Sequence, residues 1–298
     1  MGCLFAGLLK EARHDVFLLD NHVERAVHIT HHGLHITQAR GDRAIPMCAG
    51  TAYTLAQPPD LIILCVKTYD TPSALDSALP LIGPDTTLLS MQNGVSALET
   101  LIRALPSGRI CVGTTTQGAT VIGPGHVFHA GGGLTWIGAY HERDWPQAQD
   151  LARMFCQAGI DACTERNVMS LLWSKLVINA AMGPVSALSC LPNGRLALEE
   201  PWAFMLRKAA TEAAAVARAK GIALLYPDPV EAALTVCRQT ENNRSSMLQD
   251  VLKGRRTEID AITGVIVREA DALGVPVPVS RDLLEKIHAL STAKILRP

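Results

Sequence analysis

The chain has 298 residues, 48% of them hydrophobic and 18% charged, with a formal net charge of −1 and a pI near 6.8. Such a length predicts about two domains with a sizeable core, the composition excludes a disordered polymer, and the charge balance offers nucleic acid nothing to hold. No run of consecutive apolar residues reaches the roughly 18 a bilayer span needs, and no charged region with a cleavage site follows Met1, so no membrane is expected as a partner. The eight cysteines (3, 48, 65, 111, 156, 163, 190 and 237) are scattered, with no CxxC and no metal-like pairing with histidine. They read as small buried hydrophobes in a reducing compartment, with the cytoplasm as the expected location and no metal.

Residues 2–12, GCLFAGLLKEA, read as a helix opening on glycine, and 14–20, HDVFLLD, as a strand ending in an acid. Helix, strand and terminal acid make the second half of a dinucleotide-binding unit, whose first half is a strand running into G-x-G-x-x. Gly2 then takes the place of the third glycine, and Asp20, 18 residues on, that of the acid accepting ribose hydroxyls. A flexible N-terminus is the rival reading of Gly2. The preferred one makes Met1 an internal methionine, with the first strand in about nine or ten residues upstream. Upstream codons without a strand and glycine loop in frame would refute it.

A helical segment follows at 23–31, then two short alternating stretches, GLHIT and RAIPMCA, that read as a hairpin-like excursion. The run DLIILCV (60–66) has the continuous apolar character of a parallel strand covered on both faces, and it ends at Lys67. Helix 71–82, strand 86–91 ending at Gln92-Asn93-Gly94, helix 95–105 and strand 109–115 complete an alternation that predicts a parallel doubly wound sheet. Ligands of such sheets sit at the strand carboxyl ends, where Lys67, Asn93 and Thr114–Ala119 are expected. A solvated loop lysine and an Asn-Gly turn are the plain alternatives for Lys67 and Asn93. Residues 120–140 read as antiparallel edge structure, and helix 145–158 with strand 160–163 closes this half.

From 168 onward the pattern is helical only, over 168–182, 200–221, 228–239, 243–253, 257–274 and 281–294. The boundary is placed near residue 165, giving a domain at 1–165 and an all-helical domain at 166–298. The entry helix, LLWSKLVINAAMGPVS (171–186), is apolar nearly all round and so reads as buried. Lys175 and Asn179 lie four residues apart on one side of it. Lys175 either reaches water from a helix end or belongs to a polar stripe facing a cleft, where desolvation lowers its pKa. Further on, Ser245 and Ser246 suit capping or carboxylate binding. Thr257 with Asp260 resembles a cap, Glu258 suits a first helical turn, and Asn193 before Gly194 reads as a turn residue.

Taken together, MGCLFAGLL, VKTYD, QNG, GTTTQGA, LWSKLVINAAMGPVSAL, PNG and SSMLQDVLKGRRTEID resemble the ketopantoate reductase family over nearly the whole length. The resemblance implies an N-terminal Rossmann-like domain, here read as lacking its first strand, joined to a C-terminal helical domain. It also implies NADPH-dependent reduction of 2-dehydropantoate to (R)-pantoate in pantothenate synthesis. By position it makes Lys175 the proton donor and assigns substrate contacts to Asn93, Lys175, Asn179, Asn193, Ser245 and Ser246. Cofactor contacts fall to Met1, Gly2, Asp20, Lys67, Asn93, Ala119 and Glu258. The expected partner is a small 2-oxo acid, and a homodimer is compatible with the sequence.

Three departures stand out: the truncated glycine loop, Gly183 where the family often has a second asparagine, and Asp20-Asn21 where it commonly has an arginine. An acid at that place favours NAD(H) over NADP(H), although Lys67 could neutralise a phosphate. The alternatives are an NADH-dependent reductase of another branched 2-oxo acid, a β-hydroxyacid-type dehydrogenase, and a non-catalytic nucleotide-binding module.

Overall fold

The computed structural model describes residues 1–38, 41–51 and 57–295. Contacts divide the chain into two compact units. The first holds Met1–Val66, Asp70–Gln92 and Leu98–Val168; the second holds Met169–Pro298 together with two short loops, Lys67–Tyr69 and Asn93–Ala97.

The first unit is α/β. In chain order it runs α1 (Gly2–Glu11), β1 (Phe17–Leu19), α2 (Val23–His32), β2 (Leu34–Gln38), β3 (Gly41–Ile45), β4 (Cys48–Gly50), β5 (Leu61–Leu64), α3 (Thr71–Ala78), β6 (Thr87–Ser90), α4 (Ser96–Ala104), β7 (Arg109–Thr115), β8 (Gly118–Gly123), β9 (His126–Gly131), β10 (Thr135–Ala139), α5 (Trp145–Gln157) and β11 (Ala162–Thr164). One sheet has the order β11-β10-β7-β6-β5. Its β5, β6 and β7 are parallel, while β10 turns antiparallel to β7. A second sheet, β3-β2-β9-β8, and a parallel pair, β1-β4, complete the unit. The expected hairpin is there as β2–β3, with Leu34 opposite Ile45. Nothing local announced that β2 would then take β9 as a parallel partner.

α1 is the core of this unit. Leu4, Phe5, Leu8 and Leu9 are buried and pack with Ile36, Leu89, Cys111, Val127, Ile137 and Phe155. The Phe5 and Phe155 rings lie 5.3 Å apart. Ala119 is carried by β8, opposite His129, rather than standing at the carboxyl end of β7 as expected; the chain reverses at 116–117 and starts a new strand.

The second unit is helical: α6 (Val168–Ser189), α7 (Asn193–Leu196), α8 (Trp202–Ala219), α9 (Pro229–Gln239), α10 (Ser246–Leu252), α11 (Ile259–Leu273) and α12 (Pro278–Ile295). α6 outruns its predicted end at 182 and passes through Pro184. Gly183 eases this, because the clash of a proline ring with the preceding Cβ is absent there. Among the described residues α6 has the length and apolar composition of a bilayer span, with 78% of that window buried inside the protein. Ser174, Lys175 and Asn179 interrupt it, which is why a count of consecutive apolar residues passes over it. Ala209, Ala210, Ala213, Ala214 and Ala217 line the buried face of α8 and let neighbouring helices approach closely. From its exposed side, Glu212 reaches α12 and accepts from Val279 N, Ser280 N and Ser280 Oγ at 2.9, 2.7 and 2.7 Å, satisfying amide donors at the start of that helix.

Candidate active site

Lys175 sits well inside α6, flanked by Leu171, Leu172, Trp173, Leu176 and Val177, all buried. A lysine that escapes from a helix end is therefore not what the fold shows. Lys175 is partly buried, as is Asn179 one turn on. Burial pulls its ammonium down from 10.5 to about 8, with the Glu258 carboxylate resisting the fall. The preceding residue anchors this turn: Ser174 Oγ accepts from Leu225 N at 2.8 Å, and Ser174 O accepts from Tyr226 Oη at 2.8 Å.

Glu258 is the hub of the second unit. It is 5% exposed and accepts four hydrogen bonds. Its Oε1 takes Thr68 N at 3.0 Å and Thr68 Oγ1 at 2.8 Å. Its Oε2 takes Lys67 Nζ and Asn93 Nδ2, each at 3.2 Å. Burial works against the carboxylate, yet Lys67, Thr68 and Asn93 outweigh it and hold Glu258 below the usual range. Lys67 also reaches Asp250 Oδ2 at 2.6 Å. For Lys67 burial is again the largest single influence, but the two carboxylates overcome it and hold the ammonium above its usual value. Asp250 goes the other way: burial, with Glu258 as a like charge nearby, keeps it above the usual range despite Lys67. The fold thus favours the charged form of Glu258 and disfavours that of Asp250.

Glu258 is the N-cap of α11 and makes no side-chain cap bond. The expected cap of Thr257 with Asp260 gives way, because the carboxylate of Glu258 is spent on residues far away in sequence. Asp260 is exposed and pairs with His288 at 2.8 Å. The turn reading of Asn93 is met, and its amide also donates to Glu258. Gly94 does adopt φ +81, and a Cβ there would lie 2.6 Å from Ala261 O, so the turn needs glycine and presses the loop onto α11.

Asn193 is more than a turn residue. It is 4% exposed, its N–H donates to Asn243 O and its Nδ2 to Thr240 Oγ1, both at 2.9 Å, and its Oδ1 is a buried acceptor without a partner among the described residues. Ser245 is buried and caps α10, accepting from Leu248 N at 3.1 Å; Ser246 is exposed beside it. Gly183 is buried under Met247, whose Cε would lie 3.5 Å from a Cβ. An apolar thioether therefore lies over the position where the resemblance leads one to expect an amide.

In the first unit, α1 begins at Gly2 with no side-chain cap and no acid in its first turn. Its free amide donors and dipole suit an anion such as a pyrophosphate. A Cβ on Gly2 would lie 3.4 Å from Cys65 Cβ, so the helix start is set close against the end of β5. Asp20 directly follows β1 and is clamped by Arg25, whose Nε and Nη2 donate to Oδ2 and Oδ1 at 2.5 and 2.6 Å. His22 N adds a bond at 2.8 Å. Burial raises the Asp20 pKa, but Arg25 and the His22 amide more than reverse this and leave it below the usual range. These residues fit the anionic and ribose portions of a dinucleotide.

Sequence reasoning passed over Arg25, Thr68 and Asp250. Arg25 had a faint signal, being five residues beyond an acid at a strand end. Thr68 and Asp250 had none, since their partner relations span 190 and 183 residues. Lys67, read from the sequence as able to neutralise a phosphate, pairs with the carboxylates of Asp250 and Glu258.

Against known proteins, residues 1–142 match the family model Ketopantoate reductase PanE/ApbA, and residues 167–291 match Ketopantoate reductase PanE/ApbA C terminal. A 2-dehydropantoate 2-reductase from Halobacterium salinarum is 33% identical over 97% of this chain and 95% of its own length. Among solved structures, a PanE/ApbA family ketopantoate reductase from Ralstonia eutropha JMP134 is 34% identical with a TM-score of 0.87, covering 98% of this chain and 95% of that one. A D-mandelate dehydrogenase with NADH and anilino(oxo)acetate is 26% identical with a TM-score of 0.92, covering 98% and 96%. Matches across both units, with relatives above 30% identity along nearly the full length, make the chain a member of the ketopantoate reductase family.

Proposed function

We propose that this chain reduces the ketone of 2-dehydropantoate to give (R)-pantoate, with NADPH as reductant and Lys175 as proton donor. The observation that carries this is an ammonium partly buried in an apolar helix, brought to about 8 by burial, with Glu258 acting on it. A nicotinamide cofactor, when bound, supplies the hydride that adds to the carbonyl carbon. Negative charge then grows on the carbonyl oxygen, and Lys175 gives that oxygen its proton, becoming a neutral amine that water reprotonates. An amine near 8 is mostly charged at pH 7 and yet releases its proton far more readily than a lysine at 10.5.

Asn93, Asn179, Asn193, Ser245 and Ser246 are assigned to the substrate. Amides and hydroxyls offer a carboxylate donors without burying a second cation. Ser245 accepts from Leu248 N, which leaves its own O–H to give. Met1, Gly2, Asp20 and Ala119 are assigned to the dinucleotide, with Lys67, Asn93 and Glu258 holding its nicotinamide end. In this division residues 1–165 serve the cofactor and 166–298 the substrate, with the loops at 67–69 and 93–97 joining the catalytic group. The free thiols favour a reducing, cytoplasmic setting.

NADPH is preferred because Arg25 offsets the charge of Asp20 and keeps guanidinium donors that suit a 2′-phosphate. The competing reading, NADH, is favoured by Asp20 itself, an acid at a strand end. Initial rates followed at the nicotinamide absorbance, with 2-dehydropantoate and each reduced cofactor, test the proposal. Lys175→Ala is expected to lose about 10²–10⁴ in turnover. Arg25→Ala is expected to lower kcat/KM for NADPH and spare NADH. A wild type that prefers NADH overturns the cofactor assignment, and full turnover in Lys175→Ala overturns the mechanism.

A further inference from the structure

The last turns of α2 carry His28, His31 and His32. His28 and His32 are four residues apart, so their side chains project from the same face. Their ring centroids are 4.6 Å apart, with the planes inclined at 41°. The backbone beneath them is held firmly: Gly33 ends the helix at φ 74 with its N–H on Ile29 O, and His32 O accepts from His35 Nε2 at 3.2 Å. Ala26 and Ile29 bury the opposite face of the helix, so the pair faces outward, His28 partly buried and His32 exposed.

Three other histidines of this unit, His35, His126 and His129, have ring nitrogens in hydrogen bonds. His126 meets Thr37 Oγ1 at 2.8 Å, and His129 lies between Gln38 at 2.6 Å and Gln117 at 2.7 Å. The ring nitrogens of His28 and His32 make no hydrogen bond among the described residues. Two adjacent imidazoles one helical turn apart have the spacing of a two-armed chelate.

We propose that His28 and His32 bind a divalent transition metal of the zinc, nickel or copper type through both rings. Neutral imidazole suits these ions, whereas magnesium and calcium select oxygen ligands. Two Zn–N bonds of about 2.0–2.1 Å at a tetrahedral angle put the ligating nitrogens about 3.3 Å apart, a spacing that rings 4.6 Å apart reach by small rotations. Among the described residues no group of three His, Cys, Asp or Glu side chains can hold a metal, so water fills the remaining positions and the ion exchanges readily. Neither ring belongs to the groups assigned to the reductase reaction.

The test is calorimetric titration of the full chain with ZnCl2, NiCl2 and MgCl2, comparing wild type with His28→Asn, His32→Asn and His31→Asn, each first shown by its melting curve in EDTA to be folded. One equivalent of zinc or nickel should bind to wild type and to His31→Asn with affinities within about twofold. Either of the other two variants should weaken binding about tenfold or more, the loss of one arm of a chelate, and magnesium should give no heat of binding. Equal zinc affinity in wild type, His28→Asn and His32→Asn, or a loss confined to His31→Asn, overturns the site.

Discussion

Replacing Lys175 by methionine separates what the ammonium does for catalysis from what it costs the fold. Burial lowers its pKa from 10.5 to about 8, which corresponds to at most about 3 kcal/mol of destabilisation while the group is charged. The sign follows from proton counting. Between pH 8 and 10.5 the unfolded chain holds a proton on Lys175 that the folded chain has released, so stability rises with pH across that window. Below pH 8 both states are charged and the full cost is present; above 10.5 it is gone. Lys175→Met should therefore be more stable than wild type by up to about 3 kcal/mol at pH 7, with the gap closing toward pH 10.5. Turnover should fall by about 10²–10⁴.

Urea denaturation of both proteins at pH 7, 9 and 10 reads the gap directly. The same ionisation appears in the wild-type rate: with a value of about 8, about nine-tenths of Lys175 is protonated at pH 7 and about one-tenth at pH 9. Reduction should thus decline about tenfold per pH unit on the alkaline side. A stability gap independent of pH, together with a rate that stays level to pH 10, would refute the reasoning.

Glu258→Gln removes the charge that holds Lys175 up, so the alkaline limb of the rate profile should move below pH 8. Breaking its buried pairing with Lys67 should also cost about 3 kcal/mol in urea denaturation; an unmoved limb would show that the two groups do not communicate. Gly94→Ala forces a Cβ to 2.6 Å from Ala261 O at a positive φ, for an expected loss of about 1–3 kcal/mol and a raised KM through displacement of Asn93. Glu212→Ala leaves the α12 donors of Val279 and Ser280 unsatisfied, and about 1–2 kcal/mol should be lost. Hydrogen exchange should locate the effect in the first turn of α12, and unchanged exchange there would contradict the capping role.

Local pattern made much of the molecule legible. Apolar runs and their spacing marked β5, β6, β7 and the helices of the second unit other than the short α7, because burial on both faces of a strand or along one stripe of a helix is written in consecutive residues. The same logic singled out Lys175, since a cation among Leu171, Leu172, Trp173, Leu176 and Val177 breaks an apolar pattern. What the chain order could not show was where long-range partners meet. The parallel union of β2 with β9, the continuation of α6 through Pro184, and the choice of Glu258 over Thr257 at the start of α11 depend on partners brought together by folding.

The sequence by itself determined the class of the fold, the family and the lysine that stands out, because propensity and hydrophobic period act over neighbouring residues. Only the tertiary structure decided the electrostatics. Lys67 spends its charge on Asp250 and Glu258, and Arg25 covers Asp20, because Coulomb and hydrogen-bond energies depend on distance in space, to which sequence separations of 5 to 191 residues are indifferent.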